Sequence, residues 1–168
     1  YNIGGFIVKK IDLMLLVVVV ASMMFFPPCF AKTLETTELS FQLAYMYTMG
    51  QFTLDCQYEE ISRSEDNDRE VLSLLLTDYT SAVLTMDDSL IESIIHIGAG
   101  DGTEYSGLTI SCSMIATLLA VDPSITPSIA LDILSELQSS SDPYETEYCS
   151  YQFAVDKDIG AILTVEPV

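Results

Sequence analysis

The segment 68–86, "DREVLSLLLTDYTSAVLTM", decides how the chain is read. Leu72, Leu75, Leu76, Tyr79, Val83 and Met86 recur at three- and four-residue intervals, the spacing that gathers side chains on one face of an α-helix. Asn67 stands at a capping position, and Glu70 follows three residues later in the manner of a capping box. Acidic residues cluster just ahead, where the positive end of a helix favours them. The pattern predicts a helix over 68–86.

Upstream, residues 36–60, "TTELSFQLAYMYTMGQFTLDCQYEE", also read as helical. Thr36 is the expected cap, Glu38 sits in the first turn, and Leu39, Leu43, Met46 and Tyr47 form the expected apolar stripe. A polar break, "SRSEDNDRE", separates the two helices. Downstream, Ser89 and Glu92 form a second capping-box pair opening a short helix to Ile97. Gly98 then suits a left-handed helix end, and His96 falls in the last turn, where a cation is stabilised.

Between Leu108 and Val121 helical and alternating patterns compete, and Leu108, Cys112, Ile115 and Leu119 favour helix. Thr126-Pro127 supplies a cap followed by proline at the first helical position, with Ile129, Ala130, Ile133, Leu134 and Leu137 as its stripe. "QSSSDPYE" is a loop. In "YCSYQFAV" the period changes to two, "DKDIG" turns the chain and "AILTV" returns it, a β-hairpin. The expected fold class is therefore mainly α, a small domain of four or five helices with a C-terminal β-hairpin.

The N-terminal part carries a different signal. Lys9 and Lys10 precede an apolar run of 14 residues, Leu13–Phe26, closed by Pro27 and Pro28, with Cys29-Phe30-Ala31 as a cleavage site. That is the layout of a secretory signal peptide, and the run is shorter than the roughly 20 residues of a membrane-spanning helix. Basic residues ahead of the run direct the remainder across the membrane. A start at Val8 would make Tyr1–Ile7 upstream residues. The expectation is residues 1–31 as leader and 32–168 as one mature domain, periplasmic or secreted, touching membrane only through the leader before cleavage.

Charge narrows the function. The whole chain has a formal charge of −19, and from Lys32 onward 24 carboxylates face only Lys32, Arg63, Arg69 and Lys157. Nucleic acid is excluded, because phosphate binding works by replacing counterions with Lys and Arg. Anionic lipid surfaces are disfavoured for the same reason. The expected activity is protein–protein binding, as a periplasmic inhibitor or interaction module for a basic partner, rather than catalysis. Serine nucleophiles need a base and His96 is the only histidine; there is no Gly-x-Ser-x-Gly and no metal-ligand spacing. Cys56, Cys112 and Cys149 follow the leader, and outside the cytoplasm one disulfide is expected, Cys56–Cys112, with Cys149 as the alternative partner.

One stretch points elsewhere. "IIHIGAGDG", residues 94–102, resembles the first motif of Rossmann-like S-adenosylmethionine-dependent methyltransferases. That resemblance implies a strand ending in a Gly-x-Gly-x-Gly turn, with Gly98, Gly100 and Gly102 letting backbone approach the cofactor. It also implies that Asp122, in "LLAVDPS", holds the ribose hydroxyls. The alternative fold it carries is an α/β Rossmann-like fragment, with S-adenosylmethionine as cofactor.

Overall fold

The computed structural model describes residues 33–66 and 69–168, which lie in a compact unit spanning Lys32–Val168. The leader assigned to residues 1–31 lies outside the described residues.

Helix α1 (Glu38–Gln51) is followed by four strands, β1 (Glu59–Asp66), β2 (Arg69–Thr77), β3 (Thr80–Asp87) and β4 (Leu90–Gly98). Two helices, α2 (Glu104–Val121) and α3 (Pro127–Ser139), lead to β5 (Tyr144–Glu145), β6 (Cys149–Asp156) and β7 (Gly160–Pro167). The strands form one sheet in the order β1-β2-β3-β4-β7-β6-β5, every neighbouring pair antiparallel. The fold is α+β, with three helices among the described residues, and not a mainly α bundle. The Rossmann-like alternative fails as well, since that fold needs parallel strands.

Within that segment, the described residues 69–86 form the β2–β3 hairpin, not a helix. Leu72, Leu74 and Leu76 on β2 and Ala82, Leu84 and Met86 on β3 alternate toward the core, as residues on a strand must. The intervening residues Val71, Ser73 and Val83 are buried too. Strands buried on both faces write an unbroken apolar run, and any run of that kind contains matches at helical spacing. Thr77 and Thr80 flank the turn at Asp78-Tyr79 and hydrogen-bond to each other through their hydroxyls at 2.8 Å. The polar break "SRSEDNDRE" belongs mostly to β1, an edge strand whose charges guard it against pairing with other chains.

The presumed helix after Ser89 is β4. Its isoleucines suit an extended backbone, and Ser89 itself occupies a left-handed turn position (φ 71°) beside Asp88 (φ 46°). Two consecutive positive-φ residues are the signature of a tight hairpin turn matched to strand twist. Where β3 meets β4 the register slips, leaving Glu92 as the extra residue of a bulge. Glu92 is buried, its Oε2 is held by Arg69 Nε at 3.0 Å, and Oε1 has no partner.

The helices close one core. Phe41, Tyr45 and Met49 of α1, Met114, Ile115, Ala116, Leu118 and Val121 of α2, and Ala130, Ile133, Leu134 and Leu137 of α3 pack with β2, β3, β4, β6 and β7. α1 is capped by Thr37, which accepts a hydrogen bond from the Ser40 amide; α2 by Thr103; and α3 by Thr126 with Pro127 at its start. α2 is long and apolar enough to cross a membrane, and half of it is buried within this core.

Candidate interaction surface

The glycine stretch joins β4 to α2, so a strand, a glycine loop and a helix do follow one another locally. The glycines are explained by packing. A Cβ on Gly98 would run into the side chain of Ile110 on α2, and one on Gly100 would meet Ser106 Oγ at 2.9 Å. Gly102 takes a positive φ of 87° in the turn before the Thr103 cap. Asp101 accepts hydrogen bonds from the Thr103 amide and hydroxyl, which hold its carboxyl at a pKa of about 2. Gly98 is thus a place where the strand backbone packs directly against the Ile110 side chain of the helix, not a helix end.

Asp122 lies at the far end of α2 from those glycines, about 27 Å away at 1.5 Å per residue over 18 residues. It is buried and accepts four hydrogen bonds. Oδ1 takes the Ser124 amide (2.9 Å) and hydroxyl (2.6 Å); Oδ2 takes the hydroxyls of Thr146 (2.6 Å) and Tyr151 (2.8 Å). Burial works to raise its pKa, but these donors outweigh burial and the carboxyl is held below its ordinary range. The residue ties the end of α2 to β6 and to the turn ahead of it. The structure does not bring Asp122 together with the glycines.

His96 lies near the C-terminal end of β4, wholly buried, rather than in the last turn of a helix. Its Nδ1 is 2.8 Å from Thr117 Oγ1 and its Nε2 is 3.1 Å from Ser113 Oγ. The Thr117 hydroxyl donates to the Ser113 carbonyl, so Nδ1 must carry the ring proton and donate to Thr117, while Nε2 accepts from Ser113. Ser113 Oγ then accepts from Tyr45 (2.5 Å) and Thr80 (3.0 Å). Desolvation drives the imidazole pKa down to about 3, so the ring is neutral. A serine donating to a histidine is the first half of a nucleophilic pair. Here both residues are wholly buried, and Nδ1 faces a threonine instead of a carboxylate. Sequence reading missed Ser113, Thr117, Tyr45 and Thr80, because polar residues inside a helical stripe give no sign that they converge.

Cys56, Cys112 and Cys149 are all free thiols, and no two lie at disulfide distance. The expected Cys56–Cys112 bridge, and the alternative through Cys149, are therefore corrected. Cys56 precedes β1, in a segment whose Gln57 amide pairs with the Leu76 carbonyl of β2, and Cys149 is buried at the start of β6 against the end of α2. Shared burial in one core did not bring their sulfurs together.

The remaining apolar feature is on the surface. α1 has two apolar sides. Phe41, Tyr45 and Met49 face inward, while the stripe expected in the core, Leu39, Leu43, Met46 and Tyr47, faces out at 63, 62, 41 and 70% exposure. At the N-terminal end of α1, Arg63 binds Glu38, Glu60 and Glu70 together, at 2.9, 2.9 and 2.5 Å. Three carboxylates against one guanidinium leave that cluster negative. Arg69 is held by Glu92, and Lys157 sits at the tip of the β6–β7 hairpin. Among the described residues there is no group of three or more side chains arranged to hold a metal ion. No protein-family model, no curated protein and no solved structure matches this chain.

Proposed function

We propose that this is an exported acidic domain that works by binding a basic protein, as an inhibitor or interaction module, in the periplasm or outside the cell. The observation that carries the reading is charge: 24 carboxylates against four bases from Lys32 onward, with Arg63 and Arg69 already engaged by glutamates. Such a field speeds encounter with cationic surfaces and repels anionic ones. The lysine-led apolar leader supports export. The burial of Ser113 and His96 supports binding over hydrolysis, since a nucleophile must meet its substrate.

The test is affinity capture from an extracellular or periplasmic extract on the immobilised protein, with retained proteins identified and eluted by a salt gradient. Basic proteins released as ionic strength rises support the reading. A column that retains nothing basic at low salt overturns it. S-adenosylmethionine draws little support from a glycine loop closed by Ile110 and Ser106 and an Asp122 at the opposite end of α2. Calorimetric titration tests it directly: heat of binding lost on Gly100→Ala would restore that cofactor.

A further inference from the structure

The proposed binding activity leaves open which surface is used and what kind of partner element fits it; the following inference rests on that reading and names both. A surface helix ordinarily has one apolar stripe for the core and a polar opposite side. α1 departs from this. Over 14 residues it carries a single charge, Glu38, and its outward side presents Leu39, Leu43, Met46 and Tyr47 at i, i+4, i+7 and i+8. Single exposed apolar residues are ordinary, whereas four large ones along one helical line form a contiguous patch, and such patches mark interaction sites. The spacing is that of the anchors one helix offers to another.

The surroundings select the sign of the visitor. The Glu38, Glu60 and Glu70 cluster on Arg63 stands at the N-terminal end of α1, in line with Phe41 and Tyr45 rather than with the outward stripe, so a partner reaches it past the helix end; it carries a net negative charge. Glu35 just ahead of α1 is exposed, and so is Asp55 beyond its end. A second copy of this chain would bring the same carboxylates to meet each other, and its formal charge opposes approach. We propose that the outward stripe of α1 is the docking surface for a basic amphipathic helix of a protein partner. The helix would lay its apolar side on Leu39, Leu43, Met46 and Tyr47 and set Lys or Arg against the Glu38–Glu60–Glu70 cluster. The stripe supplies affinity and the acidic border supplies selection and speed of encounter.

The experiment uses the protein as purified from its producing cells and three dye-labelled 14-residue peptides, read by fluorescence anisotropy. One is a leucine–lysine peptide with leucines at helical stripe spacing, the second has the same composition in scrambled order, and the third replaces lysine by glutamate. The proposal expects binding of the patterned leucine–lysine peptide, about tenfold weaker binding of the scrambled one, and none of the glutamate peptide. Leu43→Asp and Tyr47→Asp should each weaken the patterned peptide at least about tenfold, while Leu131→Asp on α3, an equally exposed apolar site, should leave it unchanged. Both α1 positions are exposed, so both variants should fold, and circular dichroism checks it. Glu60→Gln with Glu70→Gln should weaken binding and flatten its salt dependence. Unchanged affinity in both α1 variants overturns the docking surface while leaving a basic partner in place. Failure of every cationic ligand to bind, together with an empty capture column, sinks the underlying function instead.

Discussion

His96 Nε2 lies 3.1 Å from Ser113 Oγ, joining the C-terminal part of β4 to the middle of α2 inside a core that admits no solvent to either residue. The pair anchors a chain of hydroxyls through Thr80 and Tyr45 to β3 and α1. Every proton in that chain has one acceptor only while the imidazole is neutral.

Acid should therefore weaken the fold before ordinary carboxylates titrate. The native imidazole pKa is about 3, whereas an unfolded histidine titrates near 6.5. Between those values the unfolded state holds a proton that the native state lacks, so stability is full above pH 6.5 and declines as pH falls. The expected slope is about 1.4 kcal/mol per pH unit. Urea midpoints compared from pH 6.5 to 5 should fall, and the slope should vanish in His96→Asn.

Asp122 should matter to stability. Asp122→Ala leaves the buried Tyr151 hydroxyl without its acceptor and takes from the half-buried Thr146 hydroxyl one of two acceptors, the Cys149 carbonyl remaining, a loss of about 1–3 kcal/mol by urea titration. Because the native carboxyl is held below its ordinary range, its contribution is present above the unfolded pKa and fades as pH falls toward the native value.

Two backbone positions should respond in opposite directions. Gly160 has φ of 116°, and a Cβ there would strike the carbonyl of Gly98 across the β4–β7 pair, so Gly160→Ala should cost about 2 kcal/mol or more. Ser89 holds φ of 71° with a side chain that prefers otherwise, so Ser89→Gly should stabilise by about 0.5–1 kcal/mol. Thermal or urea unfolding of the two variants checks both signs.

The thiols should be free and slow. Burial raises all three thiol pKa values, that of Cys149 to about 11, so little reactive thiolate exists at neutral pH. Alkylation followed by peptide mapping should label Cys56 and Cys112 slowly and Cys149 only on unfolding. A peptide linking any two of them without reductant would contradict the structure.

Local signals were legible and non-local ones were not. Thr126-Pro127 announces α3 because a cap and a first-turn proline act within one turn, and the alternation of Cys149, Tyr151 and Phe153 announces β6 because its other face is polar. β2, β3 and β4 carry apolar residues on both faces, so alternation disappears and helical spacing emerges by chance. The helix expected over 36–60 is helical only at Glu38–Gln51, with Thr37 rather than Thr36 as its cap and β1 beginning at Glu59, and its core side is Phe41, Tyr45 and Met49 rather than the stripe of Leu39, Leu43, Met46 and Tyr47. Two apolar sides on one helix give sequence no means of choosing between them. The glycine stretch misled for a related reason: tight packing against the side chains of a neighbouring helix and close approach of a cofactor demand the same missing side chain.

The most direct measurement is hydrogen–deuterium exchange on the protein with and without the patterned leucine–lysine peptide, resolved peptide by peptide. The account predicts added protection concentrated in Glu38–Gln51 and the adjoining Glu59–Asp66 strand. Protection confined to the 98–103 loop or to the β6–β7 hairpin, with α1 unchanged, would contradict it.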